Sequence, residues 1–446
     1  MRGNGDSWRK YRWHWKCAEK TVLTEKLIHY FRQIPDYRCG REKRHDLGEM
    51  LVCVTLGFLC GRTTIRRSLK WCKTHLEELR KHMNLKYGIA SPSTITRMLN
   101  GIDEELALYA FMEWIGEIVE SRNTHLAIDG KALCGATEKT KGETTPMLLN
   151  VVETVRGLIL AQLPVDSKTN EITAIPELLK LLDISGSIVT IDAVGTQTAI
   201  MEQIHEQGGH FVLTVKKNQP EAYEEIHTFM DKLGAEDLKK KKGEAMDPGM
   251  KEFLEKYEEI SQMEKNRDRN EYRTCQICKD ASNLTKSQKE WPHVQSIGLI
   301  KQVRIPKEKD SQGNDVTPSK EEFLEKGSRR IPAPSAGEGA GKDVQCTALI
   351  SDLILTAEEL GSIKRMHWSI ENRLHHVLDD TFREDRSPAK KSRNNLSLIR
   401  KYAYNILRLA MYETGLANIM TEMMDCFCDN AALRERYVFQ GIASLY

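Results

Sequence analysis

The order of strand-like and helix-like segments between residues 124 and 216 constrains the fold more than any other feature of this sequence. Five short apolar runs are typical of strands: THLAID, MLLNVVETV, LILAQLPV, SIVTID and HFVLTVK. Helical periodicity occurs in NEITAIPELLKLLDI, before the fourth run, and in TQTAIMEQIHEQ, before the fifth. The dipeptide Arg156-Gly157 between the second and third runs indicates a hairpin. The order is therefore strand, strand, strand, helix, strand, helix, strand.

This order predicts an α/β fold with a ribonuclease-H-like core. Strands one to three would form an antiparallel meander, and a right-handed crossover would then place strand four beside strand one. We expect a mixed five-stranded sheet with flanking helices. The helical periodicity of residues 21–120 predicts an all-α N-terminal domain before it. The charge-rich and loop-like composition of residues 217–350, with two strand-like runs inside it, predicts a partly β insertion that interrupts the core.

Two of the predicted strands end on an aspartate. The first run leads into Asp129 and the fourth into Asp192. An aspartate after a strand is often only a turn residue. In the predicted topology, however, these two strands are neighbours, so the fold would bring the two carboxylates together at one edge of the sheet.

Glu371 is the candidate for a third carboxylate. It lies in a long predicted helix, about 100° from Ile370 and so at the edge of the apolar stripe. That stripe comprises Ile363, Ile370, Leu374 and Val377. A half-buried glutamate needs a partner, and two facing aspartates that bind metal would supply one. The alternative is a solvated glutamate on a charged helix.

Two aspartates and a glutamate on such a core predict a two-metal site. Oxygen-only ligands select Mg²⁺ or Mn²⁺, and two such ions can activate a hydroxyl and stabilise a leaving oxygen in phosphodiester chemistry. A phosphatase of the haloacid-dehalogenase type would need a second aspartate two residues after Asp129. Lys131 occupies that position, so we discard that possibility.

The charges are distributed unevenly, although Lys+Arg 66 and Asp+Glu 64 nearly cancel. Basic residues concentrate in the N-terminal helices and in a helix predicted to start with Ser387 and Pro388. Such helices can follow a phosphate backbone, although a solvated charged surface would have the same composition. The predicted DNA contacts in these helices, with one beside the first aspartate, are Arg66, Arg67, Lys70, Arg97, Lys131, Lys390, Lys391 and Arg393.

Several long motifs resemble one known family. LAIDGKALCGA, VDSKTNEITAIPELLKLLDISGSIVTIDAVGTQ, GGHFVLTVKKNQP and HWSIENRLHHVLDDTFRED are similar to the DDE transposases of the H-repeat-associated group of bacterial insertion sequences. The resemblance runs from about Ile34 to Leu409. It implies that Asp129, Asp192 and Glu371 form the metal-binding triad and that Asn372 belongs to the motif around the third acid.

The resemblance also implies partners. They are double-stranded DNA, as terminal inverted repeats and as target, and a second protomer when two DNA ends are synapsed. The segment NRDRNEYR is a loose match to a family segment and keeps Arg269 and Arg273, which become further DNA-contact candidates. Around the glutamate, Lys364, His367 and Leu378 stand where related insertion-sequence transposases place Tyr, Arg and Lys.

The predicted function is that of a DNA transposase that hydrolyses phosphodiester bonds and transfers strands at the ends of an insertion sequence. A catalytically silent DNA-binding relic is the alternative. The N-terminus has no apolar signal core, and the longest apolar run is too short to span a bilayer. We therefore expect a cytoplasmic protein with no membrane partner. The expected segments are 1–120, probably for DNA-end binding, 121–216 and 351–412 for the catalytic core, 217–350 for the insertion and 413–446 for a helical tail.

Overall fold

The structure is a computed structural model, and it is mixed α/β. It describes residues 24–40, 43–133, 145–165, 171–265, 269–284, 291–306, 308–309, 315–316, 344–387 and 389–445. Nine strands of these residues belong to one mixed sheet. The chain divides into two compact units, Met1–Ser121 with Lys131–Ser167 and Glu371–Tyr446, and Arg122–Gly130 with Lys168–Ile370.

The helices and strands are numbered here in chain order. The described helices are α1 Leu27–Gln33, α2 Leu47–Leu59, α3 Ile65–Thr74, α4 Leu76–Leu79, α5 Pro92–Gly101, α6 Glu104–Gly116, α7 Glu171–Lys180, α8 Thr198–Glu206, α9 Pro220–Lys242, α10 Lys251–Glu255, α11 Ala357–Ile370, α12 Arg393–Thr414, α13 Met420–Asp429 and α14 Ala431–Arg434. The strands are β1 His125–Ala132, β2 Met147–Glu153, β3 Leu158–Val165, β4 Ile188–Ile191, β5 His210–Val215, β6 Tyr257–Lys265, β7 Arg269–Cys278, β8 Ser296–Pro306, β9 Glu308–Lys309, β10 Asp315–Val316 and β11 Val344–Ser351.

The first unit packs its N-terminal helices around α12. The ring of Tyr402 in α12 lies 4.7 Å from that of Phe31 and 4.8 Å from those of Phe111 and Trp114, centroid to centroid. Every residue of α2 is buried, as expected for the longest apolar run. The Ser91 hydroxyl accepts a hydrogen bond from the Thr94 amide and so caps the start of α5.

The hairpin predicted at Arg156-Gly157 is also in the first unit. Strands β2 and β3 are antiparallel, with Val152 paired to Ile159. Gly157 has φ +76°, a left-handed conformation that glycine adopts without strain. The sequence prediction of this hairpin is confirmed.

In the second unit the strands follow the order β1-β4-β5-β11-β8-β7-β6. The pairs β1–β4 and β4–β5 are parallel, whereas the four pairs from β5 to β6 are antiparallel. The placement of the fourth strand beside the first is therefore as predicted. Helix α11 covers one face of this sheet, where Leu360 and Ile363 pack with Val212, Ile300 and Leu349.

The sheet is larger than the five strands expected from the sequence. Strands β6, β7 and β8 come from the segment predicted as an insertion, and β11 joins them to β5 through pairs such as Ala348 with Val215. The physical reason is that the outer edge of β5 presents unpaired backbone groups, which any extended segment can satisfy. The strands of the insertion are thus part of the same sheet.

The helix predicted to carry Glu371 changes its geometry at that residue. Helix α11 ends at Ile370, and π-helical segments follow at Glu371–His375 and Val377–Thr381. The next helix, α12, begins at Arg393. The predicted start at Pro388 lies outside the described residues. No helix in the described part of the chain has the length and apolar character needed to cross a membrane.

Candidate active site

Asp129 and Asp192 follow the last paired residues of two adjacent parallel strands. Ile128 of β1 pairs with Ile191 of β4. Because parallel strands in register advance together, the next residue of each strand lies at the same edge of the second unit. The backbone register therefore brings the two aspartates together as the sequence predicts, and their catalytic role stays a prediction.

A tight turn begins at Asp192. The next three residues form a single turn of 3-10 helix. A Cβ atom at Gly195 would lie 2.3 Å from Cγ2 of Ile191, so the turn has room only for glycine. The side-chain amide of Asn218 donates to the carbonyl of the first turn residue at 3.1 Å. These contacts fix the backbone that carries the Asp192 carboxylate.

The half-buried Asp192 has a charged partner. Nζ of Lys216 lies 2.9 Å from its carboxylate. Burial alone would raise the pKa of Asp192, but hydrogen bonds from Lys216 and from the Ala193 amide outweigh it and lower the pKa below its ordinary value. Asp192 is therefore ionised at neutral pH, as a metal ligand must be.

A buried ammonium lies within electrostatic reach of both aspartates. Lys364 of α11 is buried and donates to Oγ1 of Thr214 at 2.7 Å. Burial lowers the pKa of Lys364 to about 8, while the charges of Asp192 and Asp129 oppose that shift. Since one ammonium interacts with both carboxylates, the electrostatics agree with the strand register.

Two buried histidines contact the same side chain of β4, that of Thr190. Ring nitrogens of His125 and His367 are each 3.0 Å from Oγ1 of Thr190. Burial lowers the pKa of His125 to about 3 and also lowers the pKa of His367. Both rings are neutral at physiological pH and add no positive charge beside Lys364. His367 is thus a buried packing residue.

Glu171 is a carboxylate near this site that the sequence analysis missed. It is the first residue of α7 and is half-buried. Burial raises the pKa of Glu171, and the negative charge of Asp192 raises it further. In the sequence it resembles any acidic residue in the first turn of a helix. Its proximity to Asp192 depends on how the crossover helix packs, for which the sequence has no signal.

Glu371 is exposed, and the expectation that it is half-buried is wrong. It begins the π-helical segment directly after α11, while Ile370 and Leu374 on either side stay buried. A π-helical turn contains more residues than an α-helical turn, so α-helical spacing does not predict how far Glu371 lies from the buried stripe. Glu371 belongs to the first unit and the two aspartates to the second. Its role as third ligand stays a prediction.

In the second unit, two carboxylates at the ends of adjacent strands could bind a divalent cation. Oxygen donors of this kind suit Mg²⁺ or Mn²⁺. Within the described ranges, no group of three or more His, Cys, Asp or Glu is placed to hold a metal ion. Asp129 and Asp192 are oxygen donors of the kind such an ion takes, and their role as metal ligands stays a prediction.

Comparison with protein families identifies the chain. The family model described as "Transposase DDE domain" matches residues 120–406, and the one described as "DDE_Tnp_1-associated" matches residues 28–115. The chain belongs to the DDE transposase family.

Its relatives agree with the H-repeat group. The H repeat-associated putative transposase YhhI of Escherichia coli (strain K12) is 28% identical over 388 residues, which cover 86% of this chain and 90% of that protein. The putative transposase YncI of Escherichia coli O157:H7 is 28% identical over 387 residues, with 86% and 87% covered. A solved structure, the cryo-EM structure of the piggyBac transposase synaptic complex with hairpin DNA, has a TM-score of 0.39 and 11% identity over 93% of this chain and 80% of that one.

The DNA contacts predicted in the N-terminal helices of this transposase are on the surface. Arg66, Arg67 and Lys70 are all exposed on α3, and Arg97 is exposed on α5. Helix α3 is capped by the Thr64 hydroxyl, which accepts from the Arg67 amide at 3.3 Å. These four side chains are available to phosphates.

Lys131 is not the exposed cation that a DNA contact requires. It is 3% exposed, donates to the Asp379 carboxylate and lies 3.6 Å from carboxylate oxygens of Glu384 and Asp385. Its charge is compensated inside the first unit of the transposase. We therefore withdraw it from the DNA-contact candidates.

Arg273 on β7 is also ion-paired within the protein. Its guanidinium nitrogens lie 3.4 Å from Glu264 and 3.6 Å from Glu271, and its side chain is almost buried. Because its charge is already compensated within the protein, this candidate is withdrawn too. The side chain of Arg269 lies outside the described residues.

The third group of candidates lies just before and at the start of α12. Lys390 and Lys391 are exposed, and Arg393 is half-buried. Because α12 begins at Arg393, the two lysines are in the preceding turn and not on the helix as predicted. Their exposure keeps them available to DNA.

Proposed function

We propose that this transposase cleaves and rejoins DNA at the ends of an insertion sequence, with Asp129, Asp192 and Glu371 as ligands of two Mg²⁺ or Mn²⁺ ions. The observation that carries the proposal is the pairing of β1 with β4, which sets two carboxylates side by side in a chain of the DDE family. The parallel strands β1, β4 and β5 and the β2–β3 hairpin also support a ribonuclease-H-like core.

Each of the three acids has its own position in the proposed metal site. Bound divalent cations supply the polarisation of a water or a 3′ hydroxyl and stabilise the leaving oxygen. Asp192 is held ionised by Lys216 and by its fixed turn. Asp129 would complete the pair from β1. Glu371 would be the third ligand, from a π-helical segment of a kind that is frequent at functional sites.

The buried ammonium of Lys364 would balance the two aspartates before metal binds. Two carboxylates at one strand edge repel each other, and a fixed positive charge beside them reduces that repulsion. Lys364 is buried, and its Nζ donates to Thr214 inside the protein. We assign it a positioning role in the proposed site.

DNA would be held by exposed cations of the first unit. Arg66, Arg67, Lys70 and Arg97 would contact phosphates of the transposon end, and Lys390 and Lys391 with Arg393 would hold the strand that is cut. The partners in this proposal are the terminal inverted repeats, the target DNA and a second protomer in the synapsed complex. A cytoplasmic location is part of the same proposal.

The test uses labelled duplexes that contain the DNA flanking the gene on either side. Wild-type protein should nick them at the element boundary with Mg²⁺ and stop when a chelator is added. Asp129→Ala, Asp192→Ala and Glu371→Ala should each bind the same duplex and leave it uncut. A variant that still cuts near the wild-type rate removes that residue from the triad.

The same assay separates the proposal from its alternative. A relic that only binds DNA would retard the duplex without nicking it under any metal condition, and the three alanine variants would then be indistinguishable from wild type. Cleavage restored by Zn²⁺ but not by Mg²⁺ would contradict the oxygen-ligand assignment.

A further inference from the structure

A loop of the first unit presents a tyrosine between two cations. Tyr87 is 48% exposed. The Cζ atom of Arg44 lies 5.0 Å from the centroid of its ring, and Nζ of Lys86 lies 5.4 Å from it. Both distances are inside the limit of about 6 Å for a cation–π contact. A partly exposed aromatic ring and two positive charges over it thus lie at one point of the surface.

The loop that carries Tyr87 is held by hydrogen bonds to a buried carboxylate. The buried carboxylate of Glu49 accepts the backbone amides of Asn84 and Leu85 at 2.9 and 3.2 Å. Leu85 is buried with φ +41°, a left-handed conformation that a leucine adopts only when its surroundings impose it. The backbone just before Tyr87 is therefore held in place before any partner binds.

Tyr87 borders a cleft of about 280 Å³ whose acidic residues are neutralised. Asp36 forms a two-bond ion pair with Arg38, both bonds 2.8 Å long. Asp46 and Glu49 lie 3.6 and 3.9 Å from Arg32. The carboxylates of the cleft thus have cations of their own.

Arg44 and Lys86 do not take part in these ion pairs. In the described ranges, no carboxylate lies within 4 Å of either cation. Their charges remain for an anionic partner. The surface combines an aromatic face with unneutralised cations, which is the pairing of groups that binds single-stranded nucleic acid.

We propose that an unpaired DNA base stacks on Tyr87 in place of a cation that now lies over the ring, while Arg44 and Lys86 contact the phosphates on either side of that base. This inference rests on the proposed function, because a cut transposon end and its flank are the source of unpaired bases. A base inside a duplex has its faces covered by its neighbours, so a stacking tyrosine selects single-stranded DNA. Stacking on an aromatic ring tolerates any base sequence.

The experiment measures binding of full-length protein to oligo(dT) and to a blunt duplex of the transposon end, without metal. Tyr87→Leu should weaken oligo(dT) binding about 5- to 150-fold and leave duplex binding unchanged. Tyr87→Trp should restore it, since a larger ring also stacks. The matched control is Tyr109→Leu, because Tyr109 is 47% exposed and bonded to Glu105 but has no cations over its ring in the described residues.

Three outcomes overturn the inference. Wild-type protein that does not bind oligo(dT), equal weakening in Tyr87→Leu and Tyr109→Leu, or an equal weakening on the blunt duplex would each do so. The result is independent of the proposed catalysis. A protein that binds oligo(dT) through Tyr87 but never nicks end DNA contradicts only the proposed function, and one that nicks DNA without using Tyr87 contradicts only this inference.

Discussion

Helices α3 and α12 are both basic in sequence but differ in where the charges lie. Arg66, Arg67 and Lys70 of α3 are exposed, whereas Arg400 and Lys401 of α12 are buried. A basic helix is therefore evidence for a polyanion partner only when its cations reach solvent. In α12 the partners of the charges are inside the protein.

The buried charges of α12 lie close to polar and charged side chains from distant parts of the chain. Lys401 donates to the side-chain carbonyls of Asn150 and Gln162. Arg400 lies 3.7 Å from Glu384, whose carboxylate is also 3.6 Å from Lys131. Burial alone would raise the pKa of Glu384, but the charges of Arg400, Lys401 and Lys131 outweigh it and lower the pKa. The cluster is a part of the core of the first unit.

The largest expected effect comes from removing the acid of this cluster. Glu384→Gln leaves Arg400 and Lys131 with less compensation, and breaking a buried ion pair from one side costs about 3–5 kcal/mol. We expect the free energy of unfolding, measured in urea, to fall by that amount.

The control for this variant is an exposed ion pair of the same unit. Glu77 lies 2.8 Å from Arg80 with its side chain 85% exposed, and Glu77→Gln should cost less than about 1 kcal/mol. Equal decreases in the two variants would mean that the α12 cluster is not the buried network described here.

The second expected effect is a change in the free energy of unfolding with pH. Burial lowers the pKa of Lys401 from 10.5 to about 7. Between these values the unfolded chain binds more protons than the folded one, so stability should rise with pH by up to about 1.4 kcal/mol per unit. Lys401→Met should flatten this rise in denaturation curves recorded between pH 7 and 9. Lys70→Met on α3 should leave the curve unchanged, and a wild-type curve that falls over this range would contradict the assignment.

The third effect is on DNA binding and not on stability. Neutralising Arg66, Arg67 and Lys70 together should make the salt dependence of end binding shallower, by about 0.9 in slope for each phosphate that the variant no longer binds. The control removes the same charge from α9, with Lys240→Gln, Lys241→Gln and Lys242→Gln. A salt titration that cannot distinguish the two triple variants would show that α3 is only a solvated surface.

Local pattern and strand order were predictable from the sequence because they depend on neighbouring residues. The hairpin at Gly157 and the placement of β4 beside β1 follow from turn chemistry and crossover handedness. The register that sets Asp129 beside Asp192 followed in turn from that strand order.

Burial and ion pairing were not predictable, since they depend on contacts between distant segments. Nothing near Lys131 or Lys401 in the sequence indicates that Glu384, Asn150 and Gln162 will surround them. The exposure of Glu371 was missed for another reason, because the sequence has no signal for the change from α- to π-helical geometry that begins at this residue. The growth of the sheet beyond five strands depends on backbone pairing, which leaves no side-chain signal.

Metal binding by the strand-edge aspartates tests the central claim most directly. Mn²⁺ binding to the full-length protein can be followed by electron paramagnetic resonance, without DNA and without cleavage. Asp129→Asn and Asp192→Asn should each lower Mn²⁺ affinity by at least about tenfold, since removing a ligand from the metal has no less effect than the 10- to 100-fold typical of groups behind it. Glu202→Gln removes one exposed charge from the same unit and should leave the affinity unchanged. If all three variants bind Mn²⁺ as wild type does, the two aspartates are ordinary turn residues at the ends of their strands.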